Sequence, residues 1–145
     1  VESYKTVGSR DGVIETDFIT IIDDCYNANP VSVKGGIDTL TNFKGRKVCI
    51  LGDMKELGTN SRQLHFGTGE YAKDKNTDIL VAVGEDAKDI AQGAKGGNTQ
   101  VYYYEFVSDA IDNLKNIIKK DDTVLVKASR AMKLEQVVNA LKDMK

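Results

Sequence analysis

Two cysteines, a single histidine and no long apolar run remove several kinds of protein at the outset. Cys25 and Cys49 are too few for a disulfide framework, and with His65 they lie too scattered for a zinc pattern. The longest apolar runs, such as "VCIL" and "ILVAV", fall far short of a membrane span. No signal-like n-region and h-region opens the chain, so a cytoplasmic protein without membrane insertion is expected. A formal net charge of −2 leaves no general basic surface for nucleic acid or anionic lipid. Signature motifs are missing too. Without G-x-x-x-x-G-K-[ST] there is no backbone cradle and lysine of a P-loop, and no G-x-G-x-x-G follows the first strand. There is no G-x-S-x-G elbow and no Cys–His pair suited to nucleophilic catalysis. The chain does not encode a complete nucleotide-hydrolysing machine.

What is present has the pattern of an ordinary globular domain. At 145 residues, 41% hydrophobic and 29% charged, residues 1–145 are expected to form a single domain with one core. Phe18 to Asp23 ("FITIID") reads as a strand, with "VIE" before it as an antiparallel hairpin partner across Thr16 and Asp17. Asn29 and Pro30 look like the N-cap and first residue of a helix. That helix carries Val33, Ile37, Leu40 and Phe43 at helical spacing, and Gly45 ends it. "KVCILG", "DILVAVG", "QVYYY" and "TVLVK" are further strands. Asn60 to Lys75 reads as a helix patterned around Leu64, Tyr71 and Ala72, and Ala87, Ile90, Ala91 and Ala94 mark a short one. Ser108 caps a helix with an Ile111, Leu114, Ile117 and Ile118 face, and Leu134, Val137, Val138 and Leu141 mark the last. This alternation implies an α/β fold with a mostly parallel sheet and helices on both faces.

Open parallel sheets bind ligands outside the carboxyl ends of their strands. Asp23, Asp24, Tyr26, Asn27 and Asn29 follow the first strand. Asp53, Lys55 and Glu56, in "GDMKELG", follow the second, and Lys127, Ser129 and Arg130 follow the last. All three clusters are expected at one edge, the other receiving only ordinary turns such as "FKGRK", "KNTD" and "KKDD". Each has a plainer reading as well. Asn29-Pro30 starts a helix with or without a ligand, Asp53 satisfies backbone amides in a turn, and Ser129 caps the last helix. His65 suits a solvated or partly buried structural place better than a catalytic one, and Cys49 suits the core. A rim of carboxylates, amides and a few cations without its own phosphate loop reads as one wall of a site completed by another domain.

"IDDCYNANPVSVKGGIDTL", "VCILGDMKELG", "LVAVGEDAKDIA" and "LVKASRAMKLEQVV", spanning nearly the whole chain, together resemble the C-terminal domain of the Mur ligases. The resemblance is closest to the branch that uses D-alanyl-D-alanine. It implies a Rossmann-like sheet that forms the third of three domains. A UDP-sugar domain and a central ATPase domain with the P-loop would precede Val1. It also implies an ATP-dependent, magnesium-assisted ligase of peptidoglycan-precursor synthesis, acting as a cytoplasmic monomer. Such an enzyme joins D-alanyl-D-alanine to UDP-N-acetylmuramoyl-tripeptide through an acyl phosphate. ATP and Mg would be held mainly by the central domain, so this chain alone would be inactive and would carry no metal ligand of its own.

Carried over by position, Asp24 resembles the acid that holds the nucleotide ribose, and Tyr26, Asn27 and Asn29 match the segment nearest the nucleotide. Ser129 and Arg130 match the segment that approaches the incoming dipeptide, with Arg130 suited to pair its carboxylate and Lys127 an electrostatic helper. For Asp53 and Glu56, on the same rim, substrate binding and loop architecture stay unseparated. The family more often reads "KGSR", whereas Ala128 stands here in the glycine's place. If that glycine serves a positive φ or a close approach to a ligand, the loop sits differently in this chain.

Two rivals come from other classes. Acids after the first strand, Asp53 after a later one and Lys127 after the last also resemble a response-regulator receiver domain. A receiver, however, places two helices and a strand between its acid pair and its phosphoacceptor strand, whereas one helix separates them here. The other rival is a stand-alone nucleotide-binding module.

Overall fold

Three central strands are buried at nearly every position because helices cover both of their faces, the usual condition of a parallel sheet. The computed structural model describes residues 4–7, 12–25 and 28–145. Its strands are β1 (Tyr4–Val7), β2 (Val13–Thr16), β3 (Thr20–Asp24), β4 (Lys47–Gly52), β5 (Ile79–Val83), β6 (Gln100–Tyr104) and β7 (Thr123–Lys127). Its α-helices are α1 (Pro30–Thr41), α2 (Ser61–Asp74), α3 (Lys88–Ala94), α4 (Val107–Ile117) and α5 (Glu135–Lys142). The sheet order is β1-β2-β3-β7-β4-β5-β6. From β3 to β6 the pairing is parallel, and β1 and β2 add an antiparallel edge. The α/β class, the two-sided cover and the hairpin before β3 stand as expected.

Side-chain alternation along each strand assigns the two cores. Val48, Ile50, Val81, Val124 and Val126 face α4 and α5 through Leu114, Ile117, Val137 and Leu141. Their alternates Cys49, Leu51, Leu80 and Leu125 face α1, α2 and α3 through Ile37, Leu40, Ala72 and Ile90. Among the described residues, no helix is long and apolar enough to cross a membrane.

Local chemistry corrects two boundaries and one helix face. α1 ends at Asn42, whose N–H turns back on Leu40 and Thr39, so Gly45 lies beyond the helix in the turn that enters β4. α4 starts at Val107 after Phe106 with no side-chain cap, which places Ser108 inside the helix. The buried face of α2 is His65, Thr68, Gly69 and Ala72, with Leu64 and Tyr71 only half-buried beside it.

Candidate functional site

β7 is where the loops leaving the carboxyl ends of adjacent strands part to opposite faces of the sheet. Its two neighbours, β3 and β4, each pass the chain to a helix on one face (α1 and α2), whereas β7 passes it to α5 on the other. Loops that part in this way leave a crevice at the carboxyl ends of the strands. The clusters after β3, β7 and β4 therefore meet at one edge, across three adjacent strands.

Asp24 and Lys127 are register partners at the ends of β3 and β7. The Lys127 side chain is 2% exposed, and its ammonium donates to Asp24 Oδ2, whose side chain is 49% exposed. α1 closes over the lysine stem at Gly36, where a Cβ would lie 3.3 Å from Lys127 Cδ. The charge is thus carried out through the core to the rim. Asn29 is exposed and works as a cap: its Oδ1 accepts from Ser32 N at 2.9 Å, and Ser32 Oγ accepts from Asn29 N at 3.0 Å. The reciprocal box fixes the start of α1. Tyr26 and Asn27 lie outside the described residues.

The loop after β4 is bolted to its neighbours. Asp53 is 2% exposed, its Oδ1 accepts from Ala87 N at 2.7 Å, and its Oδ2 lies 3.2 Å from Lys55 Nζ. A Cβ on Gly84, at φ +122°, would sit 2.4 Å from that Oδ1, so the β5 loop closes on the carboxylate only because residue 84 is glycine. Tyr103 seals the place by donating its hydroxyl to Gly84 O at 2.8 Å. Burial, with Glu105 nearby, raises the phenol above its ordinary value and keeps it a donor. Asp53 therefore builds the loop. At the exposed tip Glu56 holds a left-handed φ of +60°, strain of about 1 kcal/mol for a non-glycine residue.

Ser129 caps no helix. α5 begins six residues further on without a side-chain cap, and Ser129 Oγ instead accepts from Lys55 N at 2.8 Å. Arg130, exposed, opens a short 3-10 turn next to it. Ala128 is fully buried, has no positive φ, and lays its methyl over Gly52, where a Cβ would come within 2.7 Å. The alanine is absorbed by that glycine, so its methyl fits where the loop leaves β7.

His65, expected in a solvated or partly buried structural place, is structural but lies deeper than expected. His65 is fully buried, accepts from Met54 N at Nε2 (3.0 Å) and faces Ser61 O through Nδ1 at 2.7 Å. Asp53, His65 and Asp86 bring ligand-type atoms within 4.8 Å of one another. Both imidazole nitrogens are engaged, and Asp53 holds Ala87 N and Lys55, so the trio serves the loop and does not suit a metal ion. A groove of about 640 Å³ lies outside α2, lined by Asn60, Arg62, Gln63, Phe66 and Asp89 among others, away from Asp24 and Arg130. The receiver reading fails here: β7 separates Asp24 from Asp53, and the would-be phosphoacceptor is closed in by Ala87 and Gly84.

Residues 10–130 match the family model described as Mur ligase, glutamate ligase domain. The chain is 35% identical over 130 residues to the UDP-N-acetylmuramoyl-tripeptide--D-alanyl-D-alanine ligase of Haemophilus influenzae, which covers 88% of this chain and 28% of that protein. It is 35% identical over 146 residues to the Bacillus subtilis protein of the same name, covering 97% and 32%. A crystal structure of MurF from Acinetobacter baumannii matches with a TM-score of 0.86 at 30% identity, over 97% of this chain and 32% of that one. MurF ligase from Thermotoga maritima in complex with ADP matches at 0.78 and 31% identity, over 95% and 31%. The chain spans about a third of the length of the curated relatives it matches.

Proposed function

Because the chain belongs to the Mur ligase family, we propose that it is the closing domain of a D-alanyl-D-alanine-adding ligase of peptidoglycan-precursor synthesis. In this reading the whole enzyme is a cytoplasmic monomer with UDP-sugar and ATPase domains ahead of this one, and it extends UDP-N-acetylmuramoyl-tripeptide. ATP activates the peptide carboxylate as an acyl phosphate, which the dipeptide amine then attacks. This domain contributes the surfaces that hold and shield those groups.

The observation that supports this reading is the Asp24–Lys127 pair at the carboxyl ends of β3 and β7, where the outgoing loops part, with Arg130 opening the turn that follows β7. Asp24 leaves half of its surface open, and a carboxylate acceptor suits the two hydroxyls of a ribose. Lys127 holds that carboxylate in place. The start of α1, capped by Asn29, adds a positive dipole end after β3, and Tyr26 and Asn27 are proposed for the nucleotide by their place in the sequence. Arg130 offers a planar fork to the dipeptide carboxylate, and Ser129 with Lys55 fixes the turn that presents it. Asp53 and Glu56 shape the loop behind that turn.

Magnesium fits poorly here, because Asp53 is enclosed and Asp24 already faces an ammonium, so the cation belongs with the P-loop domain. Closing this rim over an acyl phosphate would exclude the water that hydrolyses it. The test is assembly. The intact protein is expected to form the amide with ATP, D-alanyl-D-alanine and the UDP-tripeptide, and residues 1–145 alone are not. Amide formation by this chain alone would overturn the divided site.

A further inference from the structure

Three consecutive backbone groups after β4 are held from outside their own loop. Asp53 O accepts from Ser129 N at 3.1 Å, Met54 N donates to His65 Nε2 at 3.0 Å, and Lys55 N donates to Ser129 Oγ at 2.8 Å. The central bond is fully enclosed, with Met54 1% and His65 0% exposed. A buried N–H deprived of its acceptor is costly enough to reorient the peptide that carries it. Turning the Met54 peptide would also move its neighbours, which are the two groups that grip Ser129. The turn bearing Arg130 starts there, with Met132 N donating to Ser129 O at 2.9 Å.

The chemistry of the ring fixes its state. Ser61 O can only accept, so Nδ1 carries the proton, and Met54 N–H can only donate, so Nε2 keeps its lone pair. α2 anchors this ring on the core by way of Ala72 and Thr68.

We propose that His65 is a positioning residue for the dipeptide side of the site, its bare Nε2 latching the Met54 peptide and so aiming Ser129 and Arg130. The latch is a property of this chain, whereas its consequence for substrate rests on the dipeptide role given above to Ser129 and Arg130. No step of the reaction needs the imidazole to touch substrate.

Imidazole 1H–15N correlation on the wild-type chain reads the latch directly. A ring protonated at Nδ1 alone is expected, and one protonated at Nε2 overturns the proposal. His65→Gln keeps an acceptor near the Nε2 position, whereas His65→Asn reaches only as far as Nδ1. In the intact ligase His65→Asn is expected to raise the KM for D-alanyl-D-alanine about tenfold while the KM for ATP stays within about twofold. His65→Gln should recover most of that loss. Equal rises in both constants, or a glutamine variant no better than the asparagine one, contradict positioning and leave only packing. If the asparagine variant does not fold, the wild-type tautomer and the glutamine kinetics still decide. Should Arg130→Ala leave dipeptide use unchanged, the dipeptide assignment fails and the functional half of the proposal with it, while the tautomer result stands apart.

Discussion

Asp122 at the amino edge of the sheet and Asp24 at its carboxyl edge each face a cation, yet the two pairs are built differently. Asp122 is 1% exposed and takes Arg46 in a two-pronged grip at 2.9 and 2.7 Å, while Lys119 N adds a third bond at 2.7 Å. Arg46 also donates to Ile117 O at 2.6 Å, so protein groups on both sides answer the pair. Being paired with a carboxylate raises the guanidinium above its ordinary value. At the carboxyl edge the arrangement is inverted: the lysine is buried and the carboxylate half open. Exposed Arg130 follows β7 and the left-handed Glu56 follows β4 on the same edge. A charge answered entirely by its own protein holds the fold, and the one left half open where the loops part is the one proposed to meet a ligand. The turns at the amino edge, expected to be ordinary, thus contain a second polar cluster, one that is structural.

Breaking the closed pair should cost most. Asp122→Ala strands a partly buried guanidinium and an N–H, and about 3 kcal/mol of stability should be lost in urea unfolding, with ATP and dipeptide KM unchanged in the intact ligase. Asp24→Ala opens the rim so that water can reach the Lys127 ammonium in the carboxylate's place, and should cost about 1 kcal/mol in the same experiment and mainly weaken ATP use. A larger loss for Asp24 than for Asp122 would reverse the contrast between the edges. Ser129→Ala removes the acceptor of Lys55 N and should cost less than about 1 kcal/mol, sharpening the view that the rim adds little to stability.

The smallest effect is a reactivity. Burial pushes the Cys25 thiol, close to the rim, and the Cys49 thiol, mid-sheet, up to about 12. At pH 8 that leaves roughly one molecule in ten thousand as thiolate, so neither should be alkylated measurably in the native chain. Because the raised value belongs to the folded state, the unfolded chain binds fewer thiol protons above its ordinary range. Stability should therefore fall as pH climbs from there toward 12. Selective labelling of Cys25 would show the carboxyl edge opening.

Local rules carried the fold far. Asn29 and Pro30 open α1 as their capping chemistry requires, and "KVCILG", "QVYYY" and "TVLVK" are strands residue for residue. What local pattern could not carry was pairing across the chain. Arg46 meets Asp122 76 residues away, and Lys55 meets Ser129 74 residues away, distances over which no periodicity speaks. His65 was legible as structural, but its grip on Met54 arises only when α2 folds back over the end of β4. Asp53 had two readings in the sequence, and its depth, visible only in three dimensions, favours the architectural one. Ser108 failed as a cap because Phe106 already has the extended backbone that starts α4.

The central claim is that one sheet edge holds two separate binding functions, nucleotide at Asp24 and dipeptide at Arg130. Steady-state kinetics of the intact ligase with Asp24→Ala and Arg130→Ala, varying ATP and D-alanyl-D-alanine in turn, tests it most directly. Asp24→Ala is expected to raise the KM for ATP and Arg130→Ala that for the dipeptide, each by about tenfold or more, with the other constant nearly unmoved. Exchanged effects, or none on either substrate, would contradict it.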